Sequence, residues 1–159
     1  MLTILIIWTQ LAFAALPEPI PLTERETEVL AKGDPVIRDP WNGMAIGVID
    51  VKASPQALWT EVINVEPRVD EVGPSTRCEI TERSDNAMKV TWGAGMLGMS
   101  VTFHLDYVID NKNMLLSFAL DKTKKNGLAH SEGSYQVLPR DGGSRLIYRS
   151  VADPNSNIP

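Results

Sequence analysis

Polar and hydrophobic residues alternate with a period of two through most of the chain beyond residue 74. Thr76, Cys78 and Ile80 alternate with charged neighbours in the first such segment. The same pattern returns at 88–92, 101–109 and 114–120, in a segment through Tyr135 and Val137, and in one that begins at Leu146. Alternation of this kind is typical of antiparallel strands with one buried and one solvated face. With a strand at 43–53, it predicts six or seven strands.

Two short helices are predicted before this run of strands. The sequence Thr23-Glu24-Arg25-Glu26 matches a capping box, and Gly33 follows the helix at a position where a left-handed residue closes it. Ser54-Pro55 starts the second helix, because serine caps helices and proline has no N–H to leave unpaired in the first turn. The second helix ends before Pro67. Helices followed by hairpin-linked strands indicate an α+β fold.

The composition excludes several classes of function. The 159 residues include 15 Lys and Arg against 20 Asp and Glu, a formal net charge of −5, which disfavours nucleic acid as a partner. Cys78 is the only cysteine, so no internal disulfide and no multi-thiolate zinc site can form. The only histidines, His104 and His130, are 26 positions apart, and no metal site or cofactor is predicted.

The amino terminus resembles a secretory signal peptide. Residues 1–17 carry no charged side chain, and Ala12-Phe13-Ala14 has the small-residue pattern of a cleavage site. The apolar run is shorter than the roughly 20 residues that a transmembrane helix needs, and prolines follow it. We therefore expect residues 1–14 to be removed after Ala14 and the protein to be secreted or periplasmic. Residues 15–42 are predicted to form a leader with a short helix.

Two segments resemble the START-related polyketide cyclase/dehydrase and lipid-transport superfamily. One is the strand-to-helix passage at 51–59, VKASPQALW, and the other is the late hairpin at 132–148, EGSYQVLPRDGGSRLIY. The resemblance extends over about residues 43–153. It implies a helix-grip fold, in which a curved antiparallel sheet wraps a long carboxy-terminal helix and encloses an apolar cavity. We assign 43–159 to this domain. Because residues 153–159 have the composition of a loop, we expect the final helix to be missing from a truncated chain.

The resemblance also implies where a ligand would bind. The inward rows of the sheet are almost wholly aliphatic or aromatic, which suits an apolar guest. The predicted ligand-binding residues are Val90, Trp92, Phe103, Leu105, Tyr107, Leu116, Phe118 and Tyr135. Methionines such as Met88 and Met114 suit an adaptable lining or simple core filling equally well.

The remaining candidate sites have simpler interpretations. Gly93-Ala94-Gly95-Met96-Leu97-Gly98 spells the dinucleotide-binding pattern, but a strand and not a helix follows it, so we interpret it as a flexible loop between strands. His104 lies in the polar register of its strand, and His130 follows a loop rich in lysine; neither is predicted to be catalytic. Trp59 is expected in the core or in a cavity wall, and Cys78 as a buried, unreactive thiol.

Three functions remain open from the sequence. We favour an exported domain that binds a hydrophobic small molecule such as a lipid, a quinone or a polyketide-like compound. A cyclase or dehydratase-like enzyme is an alternative that would need Tyr107, Tyr135 or a histidine to face inward beside an acidic group. The third is an interaction domain with a filled core. Lys122, Lys124 and Lys125 are compatible with transient membrane contact.

Overall fold

Eight antiparallel strands and two α-helices make up the part of the chain described by the computed structural model, which covers residues 16–38, 43–70, 75–96 and 99–154. The helices are α1 (Glu24–Ala31) and α2 (Pro55–Ile63), and a 3-10 helix spans Glu66–Val69. The strands are β1 (Val36–Arg38), β2 (Ala45–Val51), β3 (Ser75–Arg83), β4 (Ala87–Met96), β5 (Met99–Asp110), β6 (Leu115–Leu120), β7 (Leu128–Arg140) and β8 (Gly143–Pro154). They form one open sheet in the order β1-β2-β8-β7-β6-β5-β4-β3. The predicted α+β class and helix-grip arrangement are confirmed.

The helix caps form as the sequence predicts. The backbone N–H of Glu26 donates to Thr23 Oγ1 at 3.2 Å, and Glu26 Oε2 accepts from the Thr23 N–H at 2.8 Å. Gly33 closes α1 with a φ of +87°. In α2, the Ala57 N–H donates to Ser54 Oγ at 3.2 Å. Each cap satisfies N–H groups that have no partner within the helix, so the helices begin where these residues stand.

Three local features differ from the predictions. The sheet has eight strands because β1, inside the predicted leader at 15–42, pairs with β2, and Val36 lies opposite Val48. A 3-10 helix follows α2. The glycine-rich segment is not simply a loop: β4 continues through Gly93 to Met96 and pairs with the start of β5, so the loop prediction is wrong for 93–96. Leu97 and Gly98 lie outside the described residues.

The two faces of the sheet carry separate hydrophobic clusters. The inner face packs against α2, and its buried residues form the inner cluster, which includes Trp59, Val62, Met88, Ile109 and Val137. The outer face packs against α1 through the outer cluster, whose buried members are Leu30, Val36, Val48 and Ile147. The described residues end at Pro154 in β8 and include no helix after that strand. The predicted signal peptide also lies outside them.

Candidate functional site

The strand register brings all eight predicted ligand-binding residues to the inner face. Cross-strand pairs join Trp92 to Phe103, Val90 to Leu105, Tyr107 to Phe118, and Leu116 to Tyr135. Because side chains alternate along a strand, directly paired residues project from the same face of the sheet. Phe103 and Tyr135 are half-buried, and the other six are buried. The predicted set is therefore one continuous apolar surface.

Four rings on this surface form an aromatic row that crosses the sheet from β5 to β8. The ring centroids are 5.6 Å apart for Tyr107 and Phe118, 6.0 Å for Phe118 and Tyr135, and 4.8 Å for Tyr135 and Tyr148. The planes are tilted by 35–43°, within the range in which ring quadrupoles attract. The row combines four apolar rings with three phenolic oxygens.

Arg68 supplies a positive charge beside the aromatic row. Its guanidinium carbon lies 4.4 Å from the centroid of the Tyr135 ring, which is cation–π distance. One of its Nη atoms donates to the carbonyl oxygen of Val62 at the end of α2. The 3-10 helix therefore holds the guanidinium over the Tyr135 ring of the apolar surface.

The hydroxyls of Tyr107 and Tyr135 remain protonated at neutral pH. Burial, and next the nearby Tyr148, raise the pKa of Tyr135 to about 12, although the charge of Arg68 opposes the shift. Burial likewise raises the pKa of Tyr107, whose oxygen accepts a hydrogen bond from Trp92 Nε1 at 3.2 Å. Both groups can donate a hydrogen bond to a ligand oxygen, but neither is poised to act as a base near neutral pH.

Cys78 and Trp59 have structural roles. Burial raises the pKa of the Cys78 thiol to about 11, and its Sγ donates to the carbonyl oxygen of Val65 at 3.4 Å. This agrees with the predicted unreactive thiol, although Cys78 is half-buried. Trp59 is 2% exposed in the inner cluster, and its Nε1 donates to Asn111 Oδ1 at 3.0 Å. It therefore belongs to the core.

Neither histidine reaches the inner face. His104 is on the outer face, where its Nδ1 lies 3.0 Å from Thr91 Oγ1 of the neighbouring strand. His130 is also in an outward register, with Nε2 3.6 Å from Glu132 Oε1. Within 16–38, 43–70, 75–96 and 99–154, no three His, Cys, Asp or Glu side chains are grouped as metal ligands. None of the helices in these ranges has the length and apolar character to span a bilayer.

Sequence reasoning did not place Arg68 and Tyr148 in the site. Arg68 follows Pro67 in a short irregular segment, where neither the helical nor the strand period indicates which way a side chain points. Tyr148 had a usable signal, because it alternates with Leu146 and pairs with Tyr135 in the β7–β8 register. Following the inward register one strand further would have found it.

Comparisons with known proteins identify the fold. A scan of family models and a search of curated proteins each found no match. Among solved structures, the Zhui aromatase/cyclase from Streptomyces sp. R1128 is similar with a TM-score of 0.62 and 15% identity, over 76% of this chain and 70% of that one. A START superfamily protein from Mycobacterium smegmatis gives a TM-score of 0.60 and 14% identity, over 74% and 81%.

A third similar structure is a STAR-related lipid transfer protein from Xanthomonas axonopodis. Its TM-score is 0.61 at 11% identity, and the similarity covers 79% of this chain and 78% of that one. Identities this low establish a common fold without a common activity. Together with the eight-stranded antiparallel sheet and α2 packed on its inner face, these similarities show that the chain has the START-like, helix-grip fold that its sequence resembles.

Proposed function

We propose that the protein binds a hydrophobic small molecule on the inner face of the sheet. The observation that carries this proposal is the aromatic row, in which Arg68 lies over the Tyr135 ring and the hydroxyls of Tyr107 and Tyr135 are protonated. Binding sites for small molecules combine apolar walls with a few polar groups that set the orientation of the ligand. A lipid, a quinone or a polyketide-like molecule has the matching chemistry, an apolar body with one or a few oxygens.

The groups on the inner face support binding better than catalysis. The hydroxyl of Tyr107 interacts with an indole N–H, and Tyr135 lies against Tyr148 and Arg68. A cyclase or dehydratase mechanism needs a group that exchanges protons near neutral pH, and the raised pKa values of both tyrosines work against that role. Arg68 and Tyr135 would instead hold a ligand oxygen by hydrogen bonds. The names of the similar structures include both an aromatase/cyclase and a lipid transfer protein, which agrees with a hydrophobic ligand.

The first test is to recover the protein from its host, extract it with organic solvent and identify bound molecules by mass spectrometry. Dodecanoate and 1,4-naphthoquinone then serve as probes, with tryptophan fluorescence as the signal. We expect saturable quenching that disappears in Trp92→Phe, because Trp92 is one of the predicted ligand-binding residues on the sheet. It should persist in Trp59→Phe, because Trp59 lies on α2 with its indole N–H bonded to Asn111. An empty extract together with no saturable change for either probe would favour a filled core and reject the proposal.

Arg68 provides a second test of the same site. We expect Arg68→Gln to weaken binding of dodecanoate at least fivefold, because a carboxylate loses the guanidinium that lies over Tyr135 in the aromatic row. Arg83→Gln is the control, since Arg83 is exposed at the end of the edge strand β3. Equal affinities of the two variants for dodecanoate would show that Arg68 does not contribute to binding.

We also propose that the protein is exported, with cleavage after Ala14, and meets a membrane transiently to exchange its ligand. The uncharged amino terminus and the Ala12-Phe13-Ala14 pattern support export. Mass spectrometry of the protein recovered from its host should show a mature amino terminus at Ala15. Recovery from the cytoplasmic fraction with Met1 retained would reject this proposal.

A further inference from the structure

The loop between β6 and β7 concentrates positive charge on an acidic protein. Residues 121–127, here called the lysine loop, contain Lys122, Lys124 and Lys125, and all three are exposed. None of them forms an ion pair with another residue of the described ranges. Without these three, the chain has 15 − 3 = 12 basic residues against 20 acidic ones, a balance of −8. The lysine loop is thus a local reversal of the overall charge.

Hydrogen bonds hold the lysine loop in one shape. The side chain of Asp121 accepts from the N–H and the hydroxyl of Thr123 at 2.9 and 2.6 Å. The side-chain amide of Asn126 donates to the carbonyl oxygen of Asp121 at 2.8 Å and accepts from the backbone N–H of His104 at 2.8 Å. Gly127 N–H bonds to the Thr102 carbonyl oxygen at 2.9 Å. The lysines therefore project from a braced loop, so that little backbone entropy is lost when they engage a partner.

The acidic groups near the lysine loop do not cancel its charge. Asp121 is 4% exposed, and one of its carboxylate oxygens lies 3.5 Å from Lys89 Nζ on β4. Asp153, near the end of β8, lies opposite His130, which is near the start of β7. Glu82 lines the cleft that Asp121 shares with Lys124. Three exposed lysines at the tip of the loop therefore outnumber the two carboxylates beside them.

The lysine loop stands at one end of the inner face. Leu120 immediately precedes it, Leu128 follows it, and both pack in or against the inner cluster. Half-buried Phe103, a predicted ligand-binding residue, lies on β5 at the same end of the sheet. A surface that touches the lysine loop therefore approaches the apolar face on which the proposed ligand binds.

We propose that the lysine loop docks the protein on an anionic lipid bilayer, with this end of the inner face toward the membrane. The inference names the partner for ligand exchange and in that respect rests on the proposed function. Each lysine close to an anionic membrane surface raises partitioning by about fivefold, equivalent to about 1 kcal/mol. Three lysines can thus hold an otherwise acidic protein at the surface reversibly, in one orientation.

The test compares two triple variants by vesicle co-sedimentation. The vesicles are phosphatidylcholine with 30% phosphatidylglycerol, and pure phosphatidylcholine is the neutral reference. The loop variant is Lys122→Gln, Lys124→Gln and Lys125→Gln. The control variant, Lys32→Gln, Lys52→Gln and Lys112→Gln, has the same net charge, and its three sites are also exposed. Lys52 and Lys112 lie beyond the opposite end of the strands, and Lys32 lines a cleft with Lys52.

We expect the loop variant to lose at least tenfold in partitioning to anionic vesicles and the control to stay within twofold of the parent. Raising the salt from 0.1 to 0.5 M should abolish binding of the parent. All three proteins carry the same amino terminus, so differences between them report the lysines alone. Equal losses in both variants, equal binding to neutral vesicles, or no binding of the parent to anionic vesicles would each overturn the proposal.

Ligand binding is measured on the same proteins to separate the two proposals. If the loop variant binds dodecanoate as the parent does while its vesicle binding is lost, both proposals stand. If the parent binds dodecanoate but not anionic vesicles, only the docking proposal falls. If vesicle binding depends on the lysine loop but no hydrophobic ligand is found, the proposed function falls and the docking surface remains.

Discussion

At the scale of single residues, Gly133 shows how closely the strands and rings approach one another. A Cβ atom at this position would overlap the carbonyl oxygen of Arg149 on β8 and lie 2.5 Å from Cζ of Phe118. The first contact is with backbone, so a side-chain rotation cannot relieve it. We expect Gly133→Ala to lower the free energy of unfolding by about 3 kcal/mol, measured by urea denaturation.

Gly47 is the matched control for Gly133. It is also a strand glycine, but its added Cβ would lie 3.7 Å from Cβ of Tyr148, an ordinary van der Waals contact. Gly47→Ala should change the free energy of unfolding by less than about 1 kcal/mol. Similar losses in the two variants would contradict the tight approach at Gly133.

Tyr135 makes the stability of the protein decrease with pH in the alkaline range. Its pKa is about 12 in the folded protein against 10.0 for a free tyrosine, because burial disfavours the phenolate. Because the unfolded chain loses this proton more readily, the stability linked to Tyr135 is fully present below pH 10 and is lost as the pH rises through 12. The difference corresponds to about 2–3 kcal/mol. Between pH 10 and 12, the free energy of unfolding should fall less steeply in Tyr135→Phe than in the parent.

The comparison uses the slope within each protein, so any loss of stability at neutral pH through the missing hydroxyl does not enter it. Tyr107 and Cys78 also have raised pKa values and contribute to the alkaline loss in both proteins. Parallel slopes for parent and variant would show that Tyr135 ionises as readily in the folded protein as in the unfolded chain.

At the scale of elements, α1 depends on its amino-terminal cap. Thr23→Ala removes the side chain that accepts from the Glu26 N–H and leaves that donor without its partner. We expect a loss of about 1 kcal/mol in the free energy of unfolding. Thr27→Ala is the control within the same helix: its hydroxyl bonds to the carbonyl oxygen of Thr23, and alanine is the better helix former. An equal decrease of the thermal unfolding temperature in both variants would contradict the stabilising role of the cap.

The strands that the sequence predicts are those long enough to show a period. β5 alternates over 12 residues, and its inward register follows directly from the sequence. β1 has three residues, too few for any period, and it is a strand only because β2 offers it a pairing edge. Gly93 has no side chain, so the sequence period does not show which face of a strand it occupies. In β4 a glycine fits this position, because a Cβ atom there would lie only 2.9 Å from Thr76 Oγ1. Tertiary contacts decide these cases.

The candidate site was predictable where it consists of strand residues. All eight predicted positions share the inner face, because a strand register that buries one hydrophobic residue buries its alternate neighbours as well. Arg68 could not be found in this way, since its position depends on a 3-10 helix and on the packing of that segment against Tyr135. Periodicity therefore yields the apolar walls of such a site, whereas its orienting charge comes from an irregular connection.

At the scale of the whole molecule, the clusters on the two faces of the sheet differ in the number of elements and buried side chains that they join. The buried residues of the inner cluster join α2 to four strands, β4 through β7, and Leu116 is fully buried among them. The outer cluster holds α1 and β1 through few buried side chains, supported by the ion pair of Arg38 with Glu26 at 2.9 Å. A layer with so few contacts can open without exposing the rest of the core.

Hydrogen exchange should resolve these two layers. Leu30→Ala removes a buried anchor of α1, and we expect faster exchange in α1 and β1 while the amides of β5 to β8 keep their protection. Leu116→Ala makes a cavity in the inner cluster, to which β4 through β7 all contribute buried side chains. Protection should therefore fall throughout the molecule by a common free energy of about 2–5 kcal/mol. If Leu30→Ala lowered protection equally in α1 and in β7, the two faces would unfold as one cooperative unit, and the layers inferred from the packing would have no energetic meaning.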